Sequence, residues 1–446
     1  MMDEILGKVR EAGIVGAGGA GFPTAVKLKS APEYIVVNGA ECEPLLQVDQ
    51  QLSRKFAADL LRTLDTLVRA MGAKGGIFAL KDKYKAAVAA LNKEVSPFPA
   101  LSIKTLGNYY PMGDEQVLVY EVLGRIVPEG GIPIACGVVV INVETLLNVG
   151  LALDSDTPVT EKYVTVTGAV KNPATYKIPV GVKYSELIAA AGGSAVPKPV
   201  FINGGPMMGK VETDLDAPVT KTSKGIIILN ADHPWVVSKG RSIKEMMRIG
   251  KTACCHCMLC TDLCPRYMIG HGLHPDKLMR LASYNTTAEK DESATGAFLC
   301  CECGLCEIAC IMSLQPWKLN QELKKRMGAL GIKNPHHDQP ETVNRFRPYR
   351  QYPIPKLIQR LSLAAYEHQD APLTDYPGRV SEVRLMLKQH LGAPCEPKVA
   401  VGDSVGVGQL VAAPAEGALG ANIHSSLDGR VKAIDQSSIV IVNSGV

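Results

Sequence analysis

Ten of the chain's thirteen cysteines fall between Cys254 and Cys310, at regular intervals. Cys254, Cys257, Cys260 and Cys264 form C-x2-C-x2-C-x3-C followed by Pro265; Cys300, Cys303, Cys306 and Cys310 repeat the run without the proline. The flanks repeat too, since CCHCMLCTDLC against CCECGLCEIAC reads as a duplicated unit. Three thiolates at two-residue intervals can reach three corners of an iron–sulfur cubane from one tight turn, and the fourth corner then comes from the other run. That logic assigns Cys254, Cys257, Cys260 and Cys310 to one [4Fe–4S] cluster, and Cys300, Cys303, Cys306 and Cys264 to a second. Zinc also accepts four thiolates, but zinc ribbons pair C-x2-C with C-x2-C and do not use two four-cysteine runs. Cys255 and Cys301 adjoin first ligands, either as alternative ligands or as buried thiols, and His256 reads as a spacer. Cys42, Cys136 and Cys395 stand alone and default to small buried hydrophobes.

A second stretch with chemical potential is Gly13-Ile-Val-Gly-Ala-Gly-Gly-Ala-Gly-Phe-Pro-Thr24, with G-x-G-x-x-G at Gly16, Gly18 and Gly21. A dinucleotide fingerprint needs a strand before its first glycine. Here Asp3 to Ala12 has helical periodicity with charges on its other face. The loop therefore reads as an anion cradle: its glycines, Gly19 included, free backbone N–H groups to approach a phosphate. Pro23 suits the first turn of a following helix, and Lys27 could add charge one turn on.

The elements that must hold these residues follow from pattern. A chain of 446 residues implies about three or four domains. Alternating helical and strand-like segments over 1–158, with buried strands at Tyr34–Val37 and Gly137–Ile141, predict an α/β layer. A smaller unit over 159–235 opens with the alternating Tyr163–Thr167, turns at Asn172-Pro173 and stops a helix at Gly192-Gly193. The cysteine-rich unit covers 240–330. An extended, wrapping linker rich in Pro, Arg and Tyr covers 331–382, and a Val- and Gly-rich all-β module covers 383–446.

Composition excludes several function classes. Net charge is only +4 and no basic run stands out, so nucleic acid receives no electrostatic support. The most apolar window, Gly137 to Leu153, carries Asn142, Glu144 and Asn148, so no membrane span is expected. Charges throughout residues 3–11 break any signal-peptide core. A cytoplasmic location is expected, and thirteen cysteines without export point to metal or redox chemistry.

Gly16–Thr24 with Lys27 resembles the FMN loop of the flavin-carrying subunit of respiratory complex I, and more closely that of the C subunit of Rnf electron-transport complexes. Asn38-Gly-Ala-Glu-Cys-Glu-Pro44, Tyr110-Pro-Met-Gly-Asp-Glu115 and Asn142-Val-Glu-Thr145 match further family segments in the same order. The resemblance implies that Gly16, Gly18, Gly19, Gly21 and Lys27 hold the FMN phosphate. It places Asn38, Glu41, Tyr110, Gly113, Asp114, Asn142 and Thr145 around the rest of the flavin. Phe22, with Glu43 and Glu115 as the catalytic pair, matches positions that receive NADH. Ala17, Ala40 and Gln50 depart from the complex I pattern, which bears on nucleotide choice more than on flavin.

Residues 163–230 resemble the SLBB β-grasp module through Val166–Pro173 and Gly204–Gly209. The cysteine unit is similar to a helical double [4Fe–4S] ferredoxin-like domain. The last module, Gln389–Pro394 through His424–Val431, resembles the barrel-sandwich domain of the Rnf C subunit, where it comes first. No lysine stands at the Leu427-Asp428-Gly429 turn, so docking or packing is its expected role. The fold class expected is thus a multidomain α/β protein, and this domain order is similar to that of the PduS-type cobalamin reductase family of bacterial microcompartments.

The resemblance implies an enzyme that takes a hydride from NADH onto FMN and passes single electrons through two [4Fe–4S] clusters. Its implied acceptor is cobalamin, met transiently or on a corrinoid adenosyltransferase, because no D-x-H-x-x-G cobalamin-binding run is present. Two other readings remain. One is an NADH diaphorase reducing a ferredoxin, flavodoxin or iron–sulfur shell protein; the other is a non-catalytic electron-relay subunit.

Overall fold

The computed structural model describes residues 1–283 and 292–443. Strands Leu101–Leu106, Gly75–Lys81, Tyr34–Gly39 and Val138–Asn142 lie in that spatial order in one fully parallel sheet. Their residues alternate between two cores. Ile35, Val37 and Phe78 pack with Leu60, Leu64 and Leu146 of helices Ala57–Met71 and Val143–Ser155. Val36, Ala79 and Val140 pack with Val117 and Leu118 of helix Glu115–Leu123. A parallel sheet covered on both faces needs such near-continuous apolar strands. Strand order reverses between Tyr34–Gly39 and Val138–Asn142, whose last paired residues are Asn38 and Asn142. Ligands of open α/β sheets bind at this kind of switch point, beyond the strands' C-terminal ends.

The segment before the glycine loop is helical, Met2–Glu11, as its periodicity predicts. Pro23 sits one position earlier than expected, capping the short helix Thr24–Lys27. The next unit is a six-stranded mixed sheet, ordered Leu373–Asp375, Ala174–Pro179, Glu161–Gly168, Gly225–Asn230, Pro199–Asn203, Lys210–Glu212. Short helices carry the cysteines. The C-terminal module packs a four-stranded sheet against a three-stranded one, with Val383, Leu385, Val411, Val431 and Ile441 in its core.

Residues 331–382 are more structured than the expected extended linker. Tyr352–Pro353 pairs antiparallel with Tyr109–Tyr110. Helix Ile354–Arg360 buries Ile354, Leu357 and Ile358 with Tyr110, Trp235, Cys303 and Leu305. Leu373–Asp375 extends the six-stranded sheet at Ala174–Pro179. Among the described residues, no helix is long and apolar enough to cross a membrane.

Candidate functional site

A cavity of about 380 Å³ opens at the switch point, a size ordinary for a cofactor site. Its lining includes every residue expected around FMN and NADH except Tyr110. The glycine loop is anchored from below: Ala17 N donates to Thr145 Oγ1 at 2.9 Å, and Gly16 N to Phe22 O at 3.0 Å. Among the described residues, the N–H groups of Gly18, Gly19, Ala20 and Gly21 donate to no protein acceptor. They form the cradle that a phosphate would fill. Two glycines are sterically required. A Cβ on Gly18 would meet Asn142 Nδ2 at 2.9 Å, and one on Gly21, at φ +72°, would meet Thr222 at 2.8 Å.

Polar residues around the cradle mostly hold one another. Asn142 caps helix Val143–Ser155 by accepting from Glu144 N and donates to Asp49. Asp114 caps helix Glu115–Leu123 by accepting from Gln116 N and Val117 N, and its other oxygen accepts from Arg266 Nη2 at 2.8 Å. Asn38 donates to Gly113 O at 2.9 Å. Glu41, at φ +32°, accepts from Asp49 N and Gln50 N at the start of helix Val48–Lys55. Burial first, then the Asp49 charge, pushes its carboxyl up to about 7. Burial likewise pushes the Cys42 thiol, in the same wall, up to about 11.

Three expected residues have partners that sequence alone does not show. Lys27 donates to Glu115 Oε1 at 3.0 Å and to Val140 O at 2.9 Å, so this cation and carboxylate line the cavity as an ion pair. Glu43 accepts from Met207 N and Met208 N, both at 2.8 Å, tying the cavity wall to the Gly204–Gly209 turn of the second domain. Burial raises its carboxyl above the usual range. Tyr110 lies behind the cavity, almost fully buried, and its hydroxyl donates to Cys303 O at 2.7 Å. A residue that sequence reasoning missed is Lys224. It enters the cavity from the second domain and pairs with the buried Asp49. Burial would lower its ammonium, but Asp49 and Glu41 more than offset this and raise it. The only local signal was a lysine immediately before an apolar strand.

The two cysteine runs fold alike. His256 and Glu302 take φ of 54° and 58°, while Met258 and Gly304 take 64° and 78°. Duplicate sequence positions thus repeat the same pair of left-handed residues. Cys254, Cys257, Cys260 and Cys310 share one hollow, and Cys264, Cys300, Cys303 and Cys306 share another. These are the two cross-paired sets expected from spacing, and thiols from both runs around one void suit a four-iron cubane. Cys257 and Cys255 of the first hollow are exposed; Cys264, Cys303 and Cys306 of the second are buried. Cys255 is therefore no buried thiol. Cys301 and Cys303 line both the inner hollow and the flavin-type cavity.

Comparison with known proteins agrees with this arrangement. The Nuo51 FMN-binding domain model matches residues 9–151, an SLBB domain 163–211, a 4Fe-4S dicluster domain 253–315, and the RnfC barrel sandwich hybrid domain 367–444. Cobalamin reductase PduS of Salmonella typhimurium is 42% identical over 442 residues, covering 99% of this chain and 96% of that one. Cobalamin reductase PduS of Citrobacter freundii is 43% identical, covering 98% and 95%. The C subunit of the Na(+)-translocating ferredoxin:NAD(+) oxidoreductase complex of Acetobacterium woodii is 35% identical over 271 residues, 60% of this chain and 58% of that one. Near-complete coverage in both directions at this identity places the chain in the family of PduS cobalamin reductases.

Proposed function

We propose that this chain is an NADH-dependent flavin and iron–sulfur oxidoreductase that delivers single electrons to a corrinoid. The supporting observation is the shared wall: Cys301 and Cys303 belong both to the flavin-type cavity and to the inner cysteine hollow. When bound, FMN accepts two electrons as hydride and releases them singly, and each [4Fe–4S] cluster carries one. The residues present fit these groups. Free N–H groups of Gly18–Gly21 bind the phosphate, and Lys224 adds charge from the neighbouring domain. Phe22 and the Lys27–Glu115 pair border the place for the nicotinamide. Tyr110 fixes the inner cysteine loop against the back of the cavity. The buried cysteine set would hold the cluster next to the cavity, and the exposed set would hold the one facing solvent and an acceptor. We propose a microcompartment as the setting, with an adenosyltransferase presenting the corrinoid.

Anaerobic NADH titration of reconstituted protein, followed by visible and EPR spectroscopy with and without cobalamin, tests the reading. Flavin bleaching, cluster reduction and cob(II)alamin reduction faster than by free reduced FMN support it. Bleaching with cobalamin reduced no faster than by free flavin favours a diaphorase serving a ferredoxin, flavodoxin or iron–sulfur shell protein. No bleaching favours the relay subunit.

A further inference from the structure

Arg266 follows the Cys264-Pro265 step and lies in the short helix Pro265–Met268. It is 8% exposed. Its Nη2 donates to Asp114 at 2.8 Å, the guanidinium also approaches the Cys301 thiol, and Nε and Nη1 are buried with no oxygen or nitrogen partner. Buried guanidinium nitrogens left idle are rare in native proteins and call for an acceptor. The side chain lines the hollow shared by Cys264, Cys300, Cys303 and Cys306, and its charge acts on Cys301 and Cys303. Among the described residues, the outer hollow has no Lys or Arg in its lining; besides the thiols its titratable members are Asp276 and His256.

We propose that Arg266 donates through Nε and Nη1 to sulfur atoms of the inner cluster and raises that cluster's reduction potential relative to the outer one. The inference rests on the reading that the inner cysteines hold a [4Fe–4S] cluster. A reduced cluster carries one more negative charge than an oxidised one. A fixed cation with N–H donors to sulfur favours that reduced form, and burial amplifies the effect. Through Asp114 the same guanidinium is held to the wall of the flavin-type cavity. Arg266 is thus a positioning residue that biases the first electron onto the inner site.

EPR-monitored redox titration of the reconstituted full chain tests this, comparing wild type with Arg266→Gln and Arg266→Lys. Iron and sulfide contents matching two clusters in the wild type are the check on the underlying reading; a wild type without them overturns that reading rather than this inference. With both clusters present, Arg266→Gln is expected to lower one of the two midpoint potentials, and Arg266→Lys to bring it back towards wild type. The other midpoint stays in place. Unchanged midpoints, or both moving together, would overturn the proposal. Asp114→Asn supplies the opposite sign with Arg266 itself unchanged: an amide oxygen still accepts from Nη2 while the compensating charge is lost, so the same midpoint is expected to rise. A fall there, or no change, counts against the proposal even where Arg266→Gln does not hold its clusters.

Discussion

The two cysteine loops share spacing, flanking sequence and left-handed residues at matching positions, yet they occupy different environments. The outer loop exposes Cys257 beside Met258, Ile311 and Met312, which are themselves exposed. The inner loop packs Cys303 and Leu305 into a core with Tyr110, Trp235 and Ile354. Duplication supplied two equivalent ligand turns, and the surrounding domains made them unequal. The two hollows therefore differ in burial, one lying against the cavity and the other open to solvent.

The most damaging way to probe this inequality removes one ligand from each loop. With Cys303→Ser, NADH should still bleach the flavin, while reduction of the outer cluster slows sharply. With Cys257→Ser, flavin and inner cluster should both reduce normally, and only delivery to an added acceptor fails. Stopped-flow absorbance with EPR of freeze-quenched samples separates the cases. Equal losses from both variants would mean the loops work in parallel.

The inner side depends on a dry wall, and Glu41 reports on it. Folding raises its carboxyl from 4.5 to about 7, so the folded chain holds the proton more tightly. Its contribution to stability is unchanged below 4.5, falls as pH climbs through that window, and levels off above about 7. Glu41→Gln keeps an acceptor for Asp49 N and removes this loss. The stability difference, variant minus wild type, should grow by roughly 3 kcal/mol across the window in denaturant titrations. A flat difference would show that the wall is wet.

Lys224 tests whether the second domain contributes to the cavity. Lys224→Met should weaken FMN binding about tenfold, or ~1.4 kcal/mol, measured by flavin fluorescence, with riboflavin less affected if the ammonium serves the phosphate. The last pair of variants probes the loops' matching left-handed positions. Met258→Gly should stabilise the protein by less than about 1 kcal/mol. Gly304→Ala should destabilise it by ~1–2 kcal/mol, since the added methyl is strained at φ +78° and approaches Met207. Thermal melts that reverse this order would break the equivalence of the two turns.

Spacing made the cysteine partition legible before any coordinates, because cross-paired ligation is a property of turn geometry that repeats in sequence. The glycine cradle was legible for the same reason, whereas Asn142 and Asp114 entered only through the family resemblance and their places at helix starts came from the structure. Partners supplied by distant chain were not. Glu43 binds the Met207–Met208 backbone, Lys27 binds Glu115, and Lys224 arrives from another domain. Local pattern cannot say which carboxylate a lysine will meet. The strand pair at Tyr109–Tyr110 and Tyr352–Pro353 was hidden for a different reason. A two-residue strand is too short for period-2 alternation, and its partner lies more than two hundred residues away. Arg266 follows a run whose spacing marks the cysteines and Pro265 and says nothing of the residue after them.

The seating of the glycine loop has a consequence for how the protein is made. Gly21 O accepts from Leu391 N at 3.0 Å, and Gly13 O accepts from Lys221 Nζ, which also donates to Asn422 O. A ribosome finishes the loop long before its seat emerges. The cradle reaches its seated form only once the chain as far as Asn422 has been made. A message cut short before Asn422 would yield a product with both cysteine runs and an intact cradle, yet a slack one.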